Sequence, residues 1–206
     1  MKDVKFLFDL DSTITAEEIL PKISIEVGKL EEMKELTEAT MLGEIPFIES
    51  FTKRVKILSE ISVTKVQKIV ENILLNEKLV EFIKKHKEKC YIVTGNLDVW
   101  IEKLLEKLNM KDHCFCSHAL VDNDKIVTIK DIVDKKSVCE QFLPNFVAIG
   151  DGNNDAEMIA MAKIGVGCGL VREIAPAVKA CCTFAIYEEN KLVEFLTKLV
   201  EEDKND

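Results

Sequence analysis

Apolar positions along the chain follow two rhythms. Short, unbroken runs rich in β-branched and aromatic residues occupy 4–9 (VKFLFD), 90–94, 145–150, 164–168 and 182–186. Such runs, lacking polar alternation, predict strands covered on both faces, as in a parallel sheet. Over 76–87, 97–109, 135–142, 154–163 and 190–201 the apolar residues recur with helical spacing. The alternation predicts an α/β fold with a doubly wound, Rossmann-like parallel sheet. Residues 16–75 contain no convincing strand; they predict helices near 16–27, 29–42, 46–59 and 63–74, punctuated by Gly28, Gly43 and Ser62. The expected division is therefore a catalytic-type core of residues 1–14 and 76–206, with a small α-helical cap over 15–75. Residues 113–133 predict a β-hairpin turning at 122–124, and the charged tail 201–206 predicts a frayed end.

Composition narrows the partners. A net charge of −9 argues against a nucleic-acid or anionic-membrane binder, which needs a basic face to release counterions. An anionic ligand must then be held by local groups. No apolar stretch reaches the ~20 residues of a membrane span, and the charged start does not resemble a leader. Seven cysteines without C-x-x-C spacing, two of them adjacent (Cys181 and Cys182), suit small core residues in a reducing cytoplasm. His113, Cys114 and Cys116 lack a second ligand pair for zinc.

The chemistry lies where the strands end. In an open parallel sheet, ligands bind beyond the carboxyl ends of the strands near the switch point. After the first strand comes Asp9-Leu10-Asp11-Ser12-Thr13; the second ends in Thr94-Gly95-Asn96; the strand at 145–150 runs into Asp151-Gly152-Asn153-Asn154-Asp155. Four carboxylates converging on one crevice repel each other unless a cation joins them. Mg²⁺, which takes hard oxygen ligands and shares them with phosphate, suits the set. Lys135 precedes the third of these strands and is available beside it, with Lys136 an alternative. On a regular strand Asp9 and Asp11 would share one face while Leu10 points into the core.

These segments, in this order, resemble the four motifs of the haloacid dehalogenase superfamily of phosphohydrolases, and the cap after the first motif is similar to its phosphoserine phosphatase branch. The resemblance covers nearly the whole chain. It implies a small phosphorylated metabolite as substrate, L-phosphoserine first among them; the expected state is a cytoplasmic monomer or homodimer. Asp9 is implied as the nucleophile and Asp11 as the general acid and base. Asp9, the backbone carbonyl of Asp11 and Asp151 are implied to hold Mg²⁺. Thr94, Gly95, Lys135 and Asn154 are implied to meet the phosphate and substrate, with Asp155 supporting them from behind. A regulatory phosphate-binding module would have no use for Asp11.

Three further positions bear on specificity. Glu18 could close a capping box with Thr15, although Pro21 disfavours a helix beginning at 16. By resemblance it instead meets the substrate's amino group. Arg54 lies within the apolar stripe Phe47, Phe51, Val55 and Leu58, so its charge faces inward. It either forms a structural ion pair or binds a substrate carboxylate, the role that resemblance implies, with Met41 and Phe47 as apolar contacts. Thr94-Gly95-Asn96-Leu97 departs from the Ser-Gly-Gly-Phe usual in the branch: the hydroxyl is kept, and Asn96 adds bulk beside the substrate.

Overall fold

The computed structural model describes residues 3–205; Met1, Lys2 and Asp206, at the ends of the expected core and tail, lie outside the described residues. One sheet contains β1 (Lys5–Phe8), β2 (Cys90–Leu97), β3 (Cys114–Asp122), β4 (Lys125–Asp131), β5 (Phe146–Gly150), β6 (Ile164–Cys168) and β7 (Phe184–Ile186). Their order is β4-β3-β2-β1-β5-β6-β7. All pairs are parallel except β3 with β4, so the fold is the expected α/β sheet with one antiparallel edge.

The apolar runs explain the layering. Phe6, Leu7 and Phe8 of β1 are fully buried. Alternate side chains of a strand point to opposite faces, so Phe6 and Phe8 enter one core and Leu7 the other. The helices α5 (Glu77–Lys85), α6 (Asp98–Leu108) and α10 (Glu189–Asn205) supply the first core, and α7 (Lys135–Glu140), α8 (Ala156–Met161) and α9 (Pro176–Cys181) the second. Between β1 and α5 the chain forms only helices: α1 (Ile19–Ser24), α2 (Leu30–Met41), α3 (Phe47–Leu58) and α4 (Val63–Glu71). It leaves and rejoins the sheet side by side. Ala16 N–H donates to the Leu74 carbonyl (2.8 Å), Asn76 N–H donates to the Ile14 carbonyl (3.0 Å), and Thr15 bridges Leu75.

Register brings the strand ends together. Phe8 pairs with Ile92 on one side and Ile149 on the other. The next residue, Asp9, donates its N–H to the Ile149 carbonyl at 2.8 Å. The neighbours of β1 lead outward in opposite directions through the sheet, which makes β1 the switch point where ligands bind.

Three local expectations are corrected and that of the hairpin is borne out. α1 begins at Ile19, not 16, so Pro21 falls in a first turn that needs no intrahelical N–H donors. β2 runs on to Leu97 because it takes β3 as a parallel neighbour there. The hairpin turns on Asn123 and Asp124, both at positive φ, so two residues suffice for the turn. The tail is not frayed: α10 continues to Asn205, and Asp203 accepts bonds from Val4 N–H (3.0 Å) and Lys89 Nζ (2.6 Å).

Trp100 of α6 is 1% exposed within the larger core. Trp100→Ala should lower unfolding free energy by about 3–5 kcal/mol, because the cavity left is too large for the surroundings to fill. Urea denaturation followed by circular dichroism checks this; a loss under about 1 kcal/mol would show that α6 can collapse onto the gap.

Candidate active site

Asp9 and Asp11 do not sit on a regular strand. β1 ends at Phe8, and the chain bends through turns in which Ser12 adopts φ 64°. Leu10 is still fully buried, as expected, and both carboxylates line one small cavity. The turn is held by Thr15, whose hydroxyl accepts from Ser12 N–H (3.0 Å) and lies within hydrogen-bond reach of the Leu10 and Glu17 carbonyls. The Thr15–Glu18 capping box is absent. Ile19 N–H at the start of α1 is instead taken by Asp11 Oδ1 at 2.9 Å, so the carboxylate from the core caps a helix of the inserted segment.

Lys135 resolves the choice between adjacent lysines. Its ammonium, 5% exposed, donates to Asp9 Oδ1 and Asp155 Oδ1, both at 2.6 Å. Lys136 is exposed, and its backbone N–H meets the Asp134 carboxylate that caps α7. The other oxygen of Asp155 accepts Asp151 N–H (3.1 Å) and Gly152 N–H (2.9 Å), bracing the loop after β5. Gly150 has no room for a side chain: a Cβ there would come within 2.6 Å of the Asp155 carboxylate.

The cavity, of about 60 Å³, is closed from above by α2 and α3. Met41, Phe47, Arg54, Thr94, Gly95, Asn96 and Asn154 all line it, so the expected substrate residues are brought together. Phe47 stacks on Phe51 (5.5 Å between centroids) and rests on Gly95, where a larger residue would clash with the ring. Asn96 is 5% exposed; its side-chain oxygen accepts Leu97 N–H (3.0 Å), and its own N–H reaches the Thr94 hydroxyl (3.2 Å). Arg54 is 7% exposed, yet among the described residues no carboxylate lies within ion-pair distance of it. Its contacts are the Ser50 carbonyl (3.4 Å) and the Thr37 hydroxyl (3.5 Å), so the structural ion pair does not form.

One charged residue of the cavity escaped the sequence pattern. Arg172, in the segment between β6 and α9, donates from Nε to Asp151 Oδ2 and from a terminal nitrogen to Glu18 Oε1, each at 2.5 Å. A lone arginine in an irregular segment carries no periodic signal. Its only hint is a position just past the carboxyl end of a parallel strand.

Burial dominates the proton affinities. It raises the Asp11 carboxyl to about 6, against the pull of Arg172, and raises Asp151 to about 7. Asp9 is likewise raised, by burial and then by Asp155, with Lys135 opposing. Desolvation lowers the Arg54 guanidinium to about 10. Fully ionised, Asp9, Asp11, Glu18, Asp151 and Asp155 would face the three cations Lys135, Arg54 and Arg172 with two negative charges in excess. The oxygens of Asp9, Asp151 and Asp155 lie within 4.8 Å of one another, and Asp151 Oδ1 is buried without a partner. An orphaned buried carboxylate oxygen in an all-oxygen cluster fits a hard divalent cation. Asp155, expected behind the metal set, belongs to this cluster by distance, although its oxygens already accept three hydrogen bonds.

Residues 6–160 match the haloacid dehalogenase-like hydrolases, and the chain belongs to that family. Within it, the chain is 33% identical to a phosphoserine phosphatase of Methanocaldococcus jannaschii over 175 residues, 78% of this chain and 82% of that protein. It is 29% identical to a phosphoserine phosphatase of Lactococcus lactis over 96% of this chain and 97% of the relative. Among solved structures, a substrate-bound phosphoserine phosphatase superposes with a TM-score of 0.81 at 27% identity, covering 95% of this chain and 98% of that one. A phosphoserine phosphatase carrying a phospho-aspartyl intermediate analogue gives 0.80 at 27% identity over 94% and 98%. No helix among the described residues is long and apolar enough to cross a membrane.

Carboxyls raised on folding make the metal-free protein sensitive to alkali. Asp11 and Asp151 bind protons more tightly folded than unfolded, so stability is fullest below their unfolded value and falls as pH rises through 6 and 7. With a chelator present, the melting temperature should therefore drop between about pH 5 and pH 8. Added MgCl₂ should raise it more at the higher pH, where the site is ionised. A flat profile in chelator, or an equal shift at both pH values, would contradict this account of the cluster.

Proposed function

We propose that the chain hydrolyses small phosphomonoesters through a phosphorylated Asp9, with L-phosphoserine the leading substrate, and that residues 15–75 act as a cap over a core of 1–14 and 76–206. The observation that carries this is the pairing of a Lys135-clamped Asp9 with a buried, carboxylate-free Arg54 across one cavity. Lys135 occupies Oδ1 of Asp9, which leaves Oδ2 to attack phosphorus while the bond from phosphorus to the leaving oxygen breaks. Asp11 Oδ1 is engaged by Ile19 N–H, so its proton sits on Oδ2 and passes to the departing alkoxide. As a carboxylate, Asp11 then takes a proton from the water that attacks the phosphoaspartate, and inorganic phosphate leaves.

Thr94, the third N–H of Lys135 and Asn154 steady the phosphate oxygens. Mg²⁺, held by Asp9, the Asp11 carbonyl and Asp151, would supply positive charge to those oxygens. Arg54 receives the substrate's carboxylate, the spare oxygen of Glu18 its ammonium, and Met41 and Phe47 pack against its methylene. A second reading, another small phosphorylated metabolite, is favoured by one observation: Glu18 is already paired with Arg172, which weakens its pull on an ammonium group.

Asp9→Asn should reduce phosphate release by about 10⁴-fold or more and abolish trapping of an aspartyl–beryllium fluoride adduct. Retained turnover in that variant, measured by colorimetric phosphate release, would overturn the nucleophile assignment. Arg54→Ala should raise KM for phosphoserine by roughly 10- to 100-fold, the worth of a charge-assisted bond. Phosphoethanolamine, which has no carboxylate, should show less than about a threefold change. Equal losses for both would mean that Arg54 holds the cap and not the substrate.

A further inference from the structure

The cavity at Asp9 has an outer neighbour. A groove of about 390 Å³ runs between α2 with the Leu42 that follows it, at Lys34, Glu38 and Leu42, and the segment from Glu173 to Pro176 that leads into α9. The inner cavity is only about 60 Å³. Glu18, Thr37, Met41 and Arg172 line both spaces. Glu18 and Arg172 are joined by the 2.5 Å ion pair and are 27% and 25% exposed, so the pair stands as a partition with the cavity on one side and the groove on the other.

We propose that Arg172 is a specificity-determining residue: with Glu18 it walls the phosphate site off from the outer groove and restricts the enzyme to esters with small leaving groups. This rests on the phosphatase chemistry proposed for Asp9. The wall is fixed from behind. Arg172 Nε is held by Asp151, a fully buried residue, and the Asp151 carbonyl accepts Ala175 N–H at 2.8 Å, which pins the segment that carries the arginine. Two other walls are held in place. Phe47 stacks on Phe51 and abuts Gly95, and Asn96 is held by Leu97 N–H, whereas the ion pair borders a second open space. Beyond the pair the groove is roomy and partly apolar, with Leu42 55% exposed.

The test compares phosphoserine with p-nitrophenyl phosphate, whose aromatic leaving group is bulkier than serine. In Arg172→Ala, kcat/KM for p-nitrophenyl phosphate should rise by about tenfold, the scale on which pocket size discriminates, while that for phosphoserine falls as Asp11 and Asp151 lose their cation. Glu18→Ala removes the other half of the partition and should raise the aryl ester's kcat/KM as well; it decides the matter alone if Arg172→Ala does not fold. A residue that merely supports the fold or orients Asp151 can only lower both values. No rise for the aryl ester in the folded variants would overturn the wall and leave the phosphatase reading standing. Wild-type protein that releases phosphate from neither ester would overturn that reading and the wall with it.

Discussion

The Lys135 ammonium buried between Asp9 and Asp155 is the interaction that the site depends on. Side chains 5%, 8% and 0% exposed carry one positive and two negative charges out of water. Isolated, each would favour its neutral form, and burial does push Asp9 toward protonation. Clustered, they hold three segments that are distant in sequence: the turn after β1, the start of α7 and the loop after β5. The parallel register makes this possible, because β1 and β5 end level and deliver Asp9 and the Asp151–Asp155 loop side by side.

A division of labour among carboxylate oxygens follows from this clamp. Asp9 has one oxygen on Lys135. Asp155 has one on Lys135 and the other on two backbone N–H groups. Asp11 has one on Ile19 N–H, and Asp151 has one on Arg172 while the other is orphaned. Each acid is thus fixed in orientation by one oxygen. For Asp9, Asp11 and Asp151 the second oxygen is left for a separate task. Preorganisation of this kind lets a small domain place several repelling groups without leaving them mobile.

Much of this was legible from sequence, for a specific reason. Residues 4–9, 90–94 and 145–150 are apolar enough to be central parallel strands, and polar residues at the ends of such strands have one place to go. Arg54 was legible as an inward charge because helical spacing is strict. Local polar competition was harder to read. Thr15 and Glu18 have the spacing of a capping box, but Asp11 takes the helix start and Arg172 takes Glu18, and neither partner is near in sequence. The tail misled for the same reason: a charged end reads as solvated until Asp203 finds Val4 and Lys89. Periodicity records which face a residue occupies. It does not record which distant ion meets it there.

Arg172 also bears on the acid–base step proposed for Asp11. Burial lifts the Asp11 carboxyl, and the Arg172 guanidinium is the largest influence drawing it back, to about 6. A proton held much more tightly would be released reluctantly to the leaving alkoxide and would leave no carboxylate to activate water. One held at the ordinary carboxylate value would be absent when the ester bond breaks. A group near neutrality can serve both half-reactions in turn. The arginine that shapes the outer wall of the cavity therefore contributes to keeping its acid usable in both directions. This links the size of the leaving group admitted to the chemistry performed on it.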